Sequence, residues 1–105
     1  MIHPDTTKQV GVKYDDGKLR YDLIPVESVE EVVKVITYGA VKYKDNNWQY
    51  VENYKDRYYA ACQRHLVAWK KGIKIDNESG LRHLAHAACC IIFILYLELK
   101  EEIVK

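Results

Sequence analysis

Residues 84–97 are LAHAACCIIFILYL, the most apolar stretch of the chain. The run falls well below the roughly 18–20 apolar residues that a membrane span requires, and it contains a histidine. It therefore predicts a buried helix and not an anchor. Because it is apolar all round from Ala87 to Leu95, it reads as a central or oligomer-buried element. Upstream stands DNESG (76–80), where Asp76, Asn77 or Ser79 can cap a helix predicted over about 79–102. His83 and His86 then lie one turn apart among small and apolar residues. Imidazoles are awkward in a dry core, so something must hydrogen-bond or charge them.

Working outward, a second helix is predicted from about Asn53 to Lys71, stopped by Gly72. Tyr58, Ala61, Cys62, His65 and Trp69 recur on it at helical spacing, which places His65 on the inward stripe and Arg64 at its border. A first helix is predicted from Pro25, where proline suits a first helical position, through Tyr43. Val26, Val29, Val32, Val33, Ile36, Ala40 and Tyr43 mark its apolar face. Its many Val and Ile residues keep a strand within 32–37 open as the lesser alternative. Gly39 costs this helix about 1 kcal/mol against alanine, which suggests close approach of another helix or a ligand. KDNNW (44–48) reads as a loop and YDDGK (14–18) as a turn with Gly17 at its flexible position. Residues 1–23 read as irregular.

The fold expected is one all-α domain over 1–105: a small bundle of three main helices with an irregular N-terminal segment. So short a chain buries a modest fraction of its surface, which predicts a homo-oligomer formed through the C-terminal helix. The 105 residues are 49% hydrophobic and 30% charged, a folded composition. Sixteen basic against fifteen acidic residues leave a net charge of +1. That balance offers no bulk attraction to a nucleic acid polymer or a membrane, so any anion site is a local cluster. Three cysteines, Cys62, Cys89 and Cys90, make a poor disulfide framework. The N-terminus has no apolar stretch for export, so the expected location is a reducing cytoplasm.

The residues that can carry chemistry come from separate parts of the chain. His83, His86 and Cys90 share a helix face, which raises a zinc site. No CxxC or HxxxH spacing accompanies them, and cysteines buried as small hydrophobes is the better reading. His65, Asp76 and Glu78 join the two histidines if the helices pack antiparallel, and Glu27, Glu30 and Glu31 open the first helix. Carboxylates suit Mg²⁺, and imidazole extends the range toward Mn²⁺ or Zn²⁺. Each has an ordinary structural explanation too. Acids at a helix N-terminus favour its dipole, Glu30–Lys34 is a common pair, and Asp76 and Glu78 can be caps. Three inward histidines with Arg64 and Arg82 beside them point instead to a site. Lys18, Arg20, Lys42, Asn47 and Trp48 add cations for phosphate and an amide and aromatic plane for a base.

DGKLRYDLIP (16–25), EEVVKVITYGAVKYKDNNW (30–48), RHLVAWKKG (64–72) and DNESGLRHLAHAACC (76–90) resemble, in that order, a family of small phage proteins. These carry the dATP/dGTP diphosphohydrolase N-terminal domain, a relative of the all-α MazG-type nucleotide pyrophosphohydrolases. The resemblance spans about Lys13 to Tyr96. It implies cleavage of a purine dNTP between the α- and β-phosphates, giving dNMP and pyrophosphate with Mg²⁺ or Mn²⁺, in the host cytosol. MazG-type enzymes hold metal with an EExxE helix and an ExxD helix. This chain has Glu27, Glu30 and Glu31 as ExxEE, and His83-x-x-His86 in place of ExxD.

The resulting assignment gives catalysis to Glu30, Glu31, His65 and His83. Nucleotide binding falls to Lys18, Arg20, Lys42, Asn47, Trp48, Arg64 and Arg82, and metal to Glu30, Asp76, Glu78, His83 and His86. The alternative is a non-catalytic oligomer that sequesters a nucleotide-type immune signal, which needs the same cations and aromatics but no metal. A histidine/aspartate metallophosphohydrolase is weaker, because no adjacent His-Asp pair occurs in the chain. A purely structural protein is least favoured.

Overall fold

A computed structural model describes residues 9–104. Residues 1–8, the beginning of the predicted irregular segment, and Lys105 lie outside the described residues. Three helices make the fold: α1 (Val26–Lys42), α2 (Tyr54–Lys70) and α3 (His83–Val104). No strand occurs among the described residues, so the strand alternative within 32–37 falls. The valines of that stretch are helical because one face of α1 packs on α3, and packing outweighs their modest intrinsic cost.

The local signals act largely where the sequence put them. Pro25, with φ −72°, caps α1, and the Tyr43 N–H closes its last turn on the Gly39 carbonyl. Asn53 enters α2 in the left-handed conformation at φ 54°. Gly72 leaves it at φ 93°. There the Gly72 N–H donates to the Trp69 carbonyl at 2.9 Å and the Ile73 N–H to the Ala68 carbonyl at 3.0 Å. Those two bonds are the paired C-terminal closure that a left-handed glycine permits. The N-terminal segment is irregular from residue 9, with a turn closed by Lys18 N–H on the Asp15 carbonyl at 3.0 Å and a single 3-10 turn at Tyr21–Leu23.

The start of α3 differs from expectation. Helix begins at His83 and not near Ser79, because Gly80 sits at φ 73° and the preceding chain folds back on itself. The Asp76 N–H donates to the Leu81 carbonyl at 2.8 Å, and the His83 N–H to the Lys74 carbonyl at 2.9 Å. Asp76 therefore stabilises this connecting loop instead of capping the helix.

α3 is the middle element. Val35 of α1 buries against Ala85 and Cys89 on one side of it, with Val32, Ile36, Leu81 and Phe93 around them. Cys62 of α2 buries against Ala87 and Cys90 on the other, joined by Tyr58, Ala61 and Leu66. Small alanine and cysteine side chains let two helices approach one. Burial pushes the Cys89 thiol up to about 12 and the Cys90 thiol up to about 11, so both stay protonated and act as small hydrophobes.

The outer part of α3 departs from the expectation of burial. Ile91, Ile92, Leu95 and Leu99 are each about half exposed. The helix is also longer than the apolar run alone. Its His83–Ile103 segment is long and apolar enough by length and composition to cross a membrane. That corrects the length argument made from residues 84–97. The inner part of the same helix supplies the core contacts of both α1 and α2. The radius of gyration is 20.2 Å, against about 13 Å for a self-contained domain of this length.

Candidate functional site

Three elements bring the histidines together. His65 comes from the inward face of α2, His83 and His86 from the first turn of α3, and Asp76 and Ser79 from the loop between those helices. His65 Nδ1 and His83 Nδ1 lie 2.8 Å apart. The His65 and His86 rings stack with centroids 4.4 Å apart at 8°. His83 is buried and His65 and His86 are half-buried.

Ser79 determines the protonation pattern. Its Oγ lies 2.8 Å from Asp76 Oδ2 and 2.7 Å from His86 Nε2, and it accepts the Leu81 N–H at 3.1 Å. The Asp76 carboxylate can only accept, so the single hydroxyl proton of Ser79 goes to it. His86 Nε2 must then carry the hydrogen that meets the Ser79 oxygen. A neutral His86 in this tautomer leaves Nδ1 bare. Burial holds its pKa below the ordinary histidine value, against the opposing pull of Asp76. Burial and the two neighbouring imidazoles push His65 down to about 4. Asp76 is acted on by burial, which raises it, but the Ser79 N–H at 2.9 Å and hydroxyl outweigh that and hold it below its usual value.

His65, Asp76 and His83 each offer a ligand atom, all within 4.8 Å of one another. Two imidazoles and a carboxylate from three chain segments thus converge, with His86 Nε2 3.8 Å from the same Asp76.

His65, Asp76 and His86 open onto a cavity of about 1030 Å³ between α1, α2 and the 44–51 segment. That is large enough for a nucleotide. Lys42, Lys44, Arg57 and Arg64 place four cationic side chains on its wall, Asp45, Asp56 and Glu78 join Asp76 as carboxylates there, and Tyr43, Asn47 and Trp48 stand toward the loop end. Gly39 lines it as well. A Cβ there would meet nothing within 4 Å, so this glycine faces the cavity and not a neighbouring helix.

Not every predicted site residue is here. Glu30 and Glu31 are absent from the cavity wall. Glu31 instead pairs with Lys34 at 2.8 Å and lies 3.9 Å from Arg82, which is itself exposed. Lys18 and Arg20 are exposed on the N-terminal segment, where Arg20 pairs with Asp22 at 2.7 Å. Glu78 binds Lys42 and accepts a hydrogen bond from Tyr38 at 3.2 Å. Trp48 lies flat on Phe93 at 3.9 Å, so one of its faces is already covered. Sequence reasoning missed Ser79, Tyr38, Lys44 and Arg57 as site residues. For Ser79 the signal was present, an Asp-x-x-Ser turn closed by glycine. Tyr38 had none beyond its place one turn from Lys42.

The profile of the family described as dATP/dGTP diphosphohydrolase, N-terminal, matches residues 8–105. A protein of Salmonella phage PMBT28 named dATP/dGTP diphosphohydrolase is 39% identical over 87 residues. The match covers 83% of this chain but only 29% of that relative. No solved structure matches.

Proposed function

The chain belongs to the dATP/dGTP diphosphohydrolase N-terminal family, and on that premise we propose that it hydrolyses a purine deoxynucleoside triphosphate in the cavity between its helices. The products are the dNMP and pyrophosphate, and the reaction uses a divalent metal, Mg²⁺ or Mn²⁺. The observation that carries this reading is the His65–Asp76–His83–His86 cluster beside a cavity of nucleotide size whose wall holds both cationic and carboxylate side chains. The phage relative is named as a diphosphohydrolase, which favours hydrolysis over sequestration.

Each group has a role that its surroundings support. Lys42, Lys44, Arg57 and Arg64 neutralise the phosphate chain, arginine by paired hydrogen bonds. Tyr43 and the open side of Trp48 receive the base. His86 takes a proton at Nδ1 from the water that attacks the α-phosphorus, as burial keeps it neutral and its tautomer leaves that nitrogen bare. The bond from the α-phosphorus to the bridging oxygen then breaks and pyrophosphate leaves. Asp76 and Ser79 hold the His86 ring in place. A bound divalent ion supplies charge neutralisation for the departing phosphates.

Anion-exchange chromatography of the protein incubated with each dNTP, with Mn²⁺ or Mg²⁺ and with EDTA, tests this. Metal-dependent dNMP and pyrophosphate from dATP or dGTP is the expected result. Unchanged nucleotides under every condition overturn it.

A further inference from the structure

We propose that His65 Nδ1, His83 Nδ1 and an Asp76 carboxylate oxygen form the metal site of this chain, and that it selects a first-row transition ion such as Mn²⁺, Co²⁺ or Zn²⁺ over Mg²⁺. This rests on the metal-dependent reading above and sharpens it, because the donors are not those of a carboxylate-only magnesium site.

Metal–imidazole bonds of about 2.0–2.1 Å put two neighbouring ligand nitrogens of a right-angled pair about 2.9 Å apart. His65 Nδ1 and His83 Nδ1 stand at 2.8 Å. His65, Asp76 and His83 each offer a ligand atom within 4.8 Å of the other two, so one ion reaches all three residues with small side-chain movements. Without metal the same two nitrogens must share a hydrogen, one donating and one accepting.

The supporting shell is also in place. Asp76 is held by the backbone N–H and hydroxyl of Ser79, which orient its carboxylate. Hydrogen-bonded second partners of this kind fix first ligands at metal sites. His86 is not a fourth ligand through Nε2, since Ser79 occupies that nitrogen. Two ligands, His65 and Asp76, line the cavity, while His83 lies behind them. The remaining coordination positions therefore open toward phosphate oxygens in the cavity.

The donor set sets the preference. Magnesium requires near-octahedral oxygen ligands and keeps several waters, whereas two imidazoles and one carboxylate suit manganese, cobalt or zinc. Of the oxygen donors that the sequence offered, Glu30 and Glu31 are absent from the cavity wall, and Glu78, which lines it, is held by Lys42 and Tyr38, which leaves Asp76 beside the histidines.

The test uses the full-length protein, stripped with EDTA and free of nucleotide, titrated calorimetrically with MnCl₂, CoCl₂ and MgCl₂. One Mn²⁺ or Co²⁺ per chain is expected, at least tenfold tighter than Mg²⁺, and the Co²⁺ spectrum should lack thiolate charge transfer from the buried cysteines. His65→Ala and Asp76→Asn should each weaken Mn²⁺ at least tenfold, while Glu31→Ala should leave it unchanged. Circular dichroism identifies which variants keep their helices, and the half-buried His65 is the substitution best placed to do so. Equal affinity for Mg²⁺, retention of Mn²⁺ by a folded His65→Ala protein, or loss of Mn²⁺ in Glu31→Ala each overturns the site. Because no nucleotide is present, failure here is distinct from failure of hydrolysis. Turnover without this metal site would refute only the metal assignment.

Discussion

His65 and His83 stand 18 residues apart in sequence and meet Nδ1 to Nδ1 at 2.8 Å. Two imidazole nitrogens at this distance form a hydrogen bond only if one carries hydrogen and the other does not. Protonating both rings would set two N–H groups against each other inside a half-buried cluster. The contact between α2 and α3 at this point therefore requires one ring of the pair to present a bare nitrogen.

A pH dependence of stability follows for the metal-free protein. His65 is pushed down to about 4 by burial and by His86 and His83, from an ordinary value of 6.5. The unfolded chain binds a proton at this residue near pH 6.5, while the folded chain does not until near pH 4. Its contribution is complete above pH 6.5 and is lost as pH falls through that window. His86, shifted in the same direction, adds to it. Thermal unfolding in EDTA should show the melting temperature falling between pH 6.5 and 4, with a shallower fall in His65→Gln. A flat profile over that range would show that the imidazoles are not held neutral.

Ser79 satisfies three groups with one hydroxyl: the Asp76 carboxylate, the His86 Nε2–H and the Leu81 N–H. Ser79→Ala leaves all three short of a partner, and an unsatisfied part-buried polar group costs about 1–3 kcal/mol. The variant should unfold at lower denaturant concentration than the parent. Its hydrolytic rate should fall further than its substrate affinity, because the His86 tautomer is no longer fixed. Equal loss of both would instead indicate a general loosening of the pocket.

Much of this fold was legible and the site was partly so, for reasons that particular residues show. Pro25, Asn53 and Gly72 mark helix ends through backbone conformation, which is local, and they stand within a residue or two of their predicted positions. Gly80 carried the same kind of signal, yet the capping residues before it drew the predicted start of α3 too early. Helical spacing on α2 placed His65 inward, which brought three imidazoles together on paper. Spacing does not reveal depth along a helix pair. Glu30 and Glu31 are in the right helix, but Glu31 turns to Lys34 and Arg82 instead of the cavity. The absence of an adjacent His-Asp pair counted against histidine/aspartate chemistry, whereas the folded loop carries Asp76 to the histidines from its own segment.

Glu78 and Lys42 suggest a competition at the cavity mouth. Lys42 is held by Glu78, which with Tyr43 raises its pKa, and Glu78 also accepts from Tyr38. A phosphate arriving at Lys42 must displace that carboxylate. Glu78→Gln should therefore lower KM several-fold with little change in kcat, and Lys42→Ala should raise KM about tenfold or more. Steady-state kinetics separate the two effects. A large drop in kcat for Glu78→Gln would move Glu78 into the chemistry.

Trp48 lies flat on Phe93 at 3.9 Å and meets Tyr96 edge-on at 5.3 Å, and its carbonyl accepts the Tyr58 hydroxyl at 2.8 Å. It fastens the 44–51 segment to α2 and α3 whatever it does for a base. Trp48→Ala should destabilise the protein by about 3 kcal/mol, the usual scale for removing a packed aromatic. Trp48→Phe should recover most of that. If Trp48→Ala leaves denaturant unfolding unchanged and alters nucleotide affinity alone, the ring serves the ligand and not the fold.

The outer face of α3 carries the last prediction. Leu84, Ala88, Ile91, Leu95 and Leu99 recur every three or four residues, and Ile92 and Ile103 widen the stripe. Its large members range from 43% to 83% exposed. A contiguous exposed stripe of six large apolar side chains is the kind of surface that marks an interaction site, and Ala88 in its middle permits close approach of a second helix. A second copy of α3 offers a stripe of the same chemistry, and a twofold axis makes one patch meet itself. The protein should elute as an oligomer, and Leu95→Asp should convert it to a smaller species by light scattering, since a buried carboxylate on a symmetric seam meets its own copy. Helical circular dichroism should persist, as Leu95 is outside both core clusters. Two other results would count against a homotypic seam. A monomer in the parent protein leaves the stripe without this partner, and partition of the parent into neutral lipid vesicles, abolished by the same substitution, would assign the face to a bilayer.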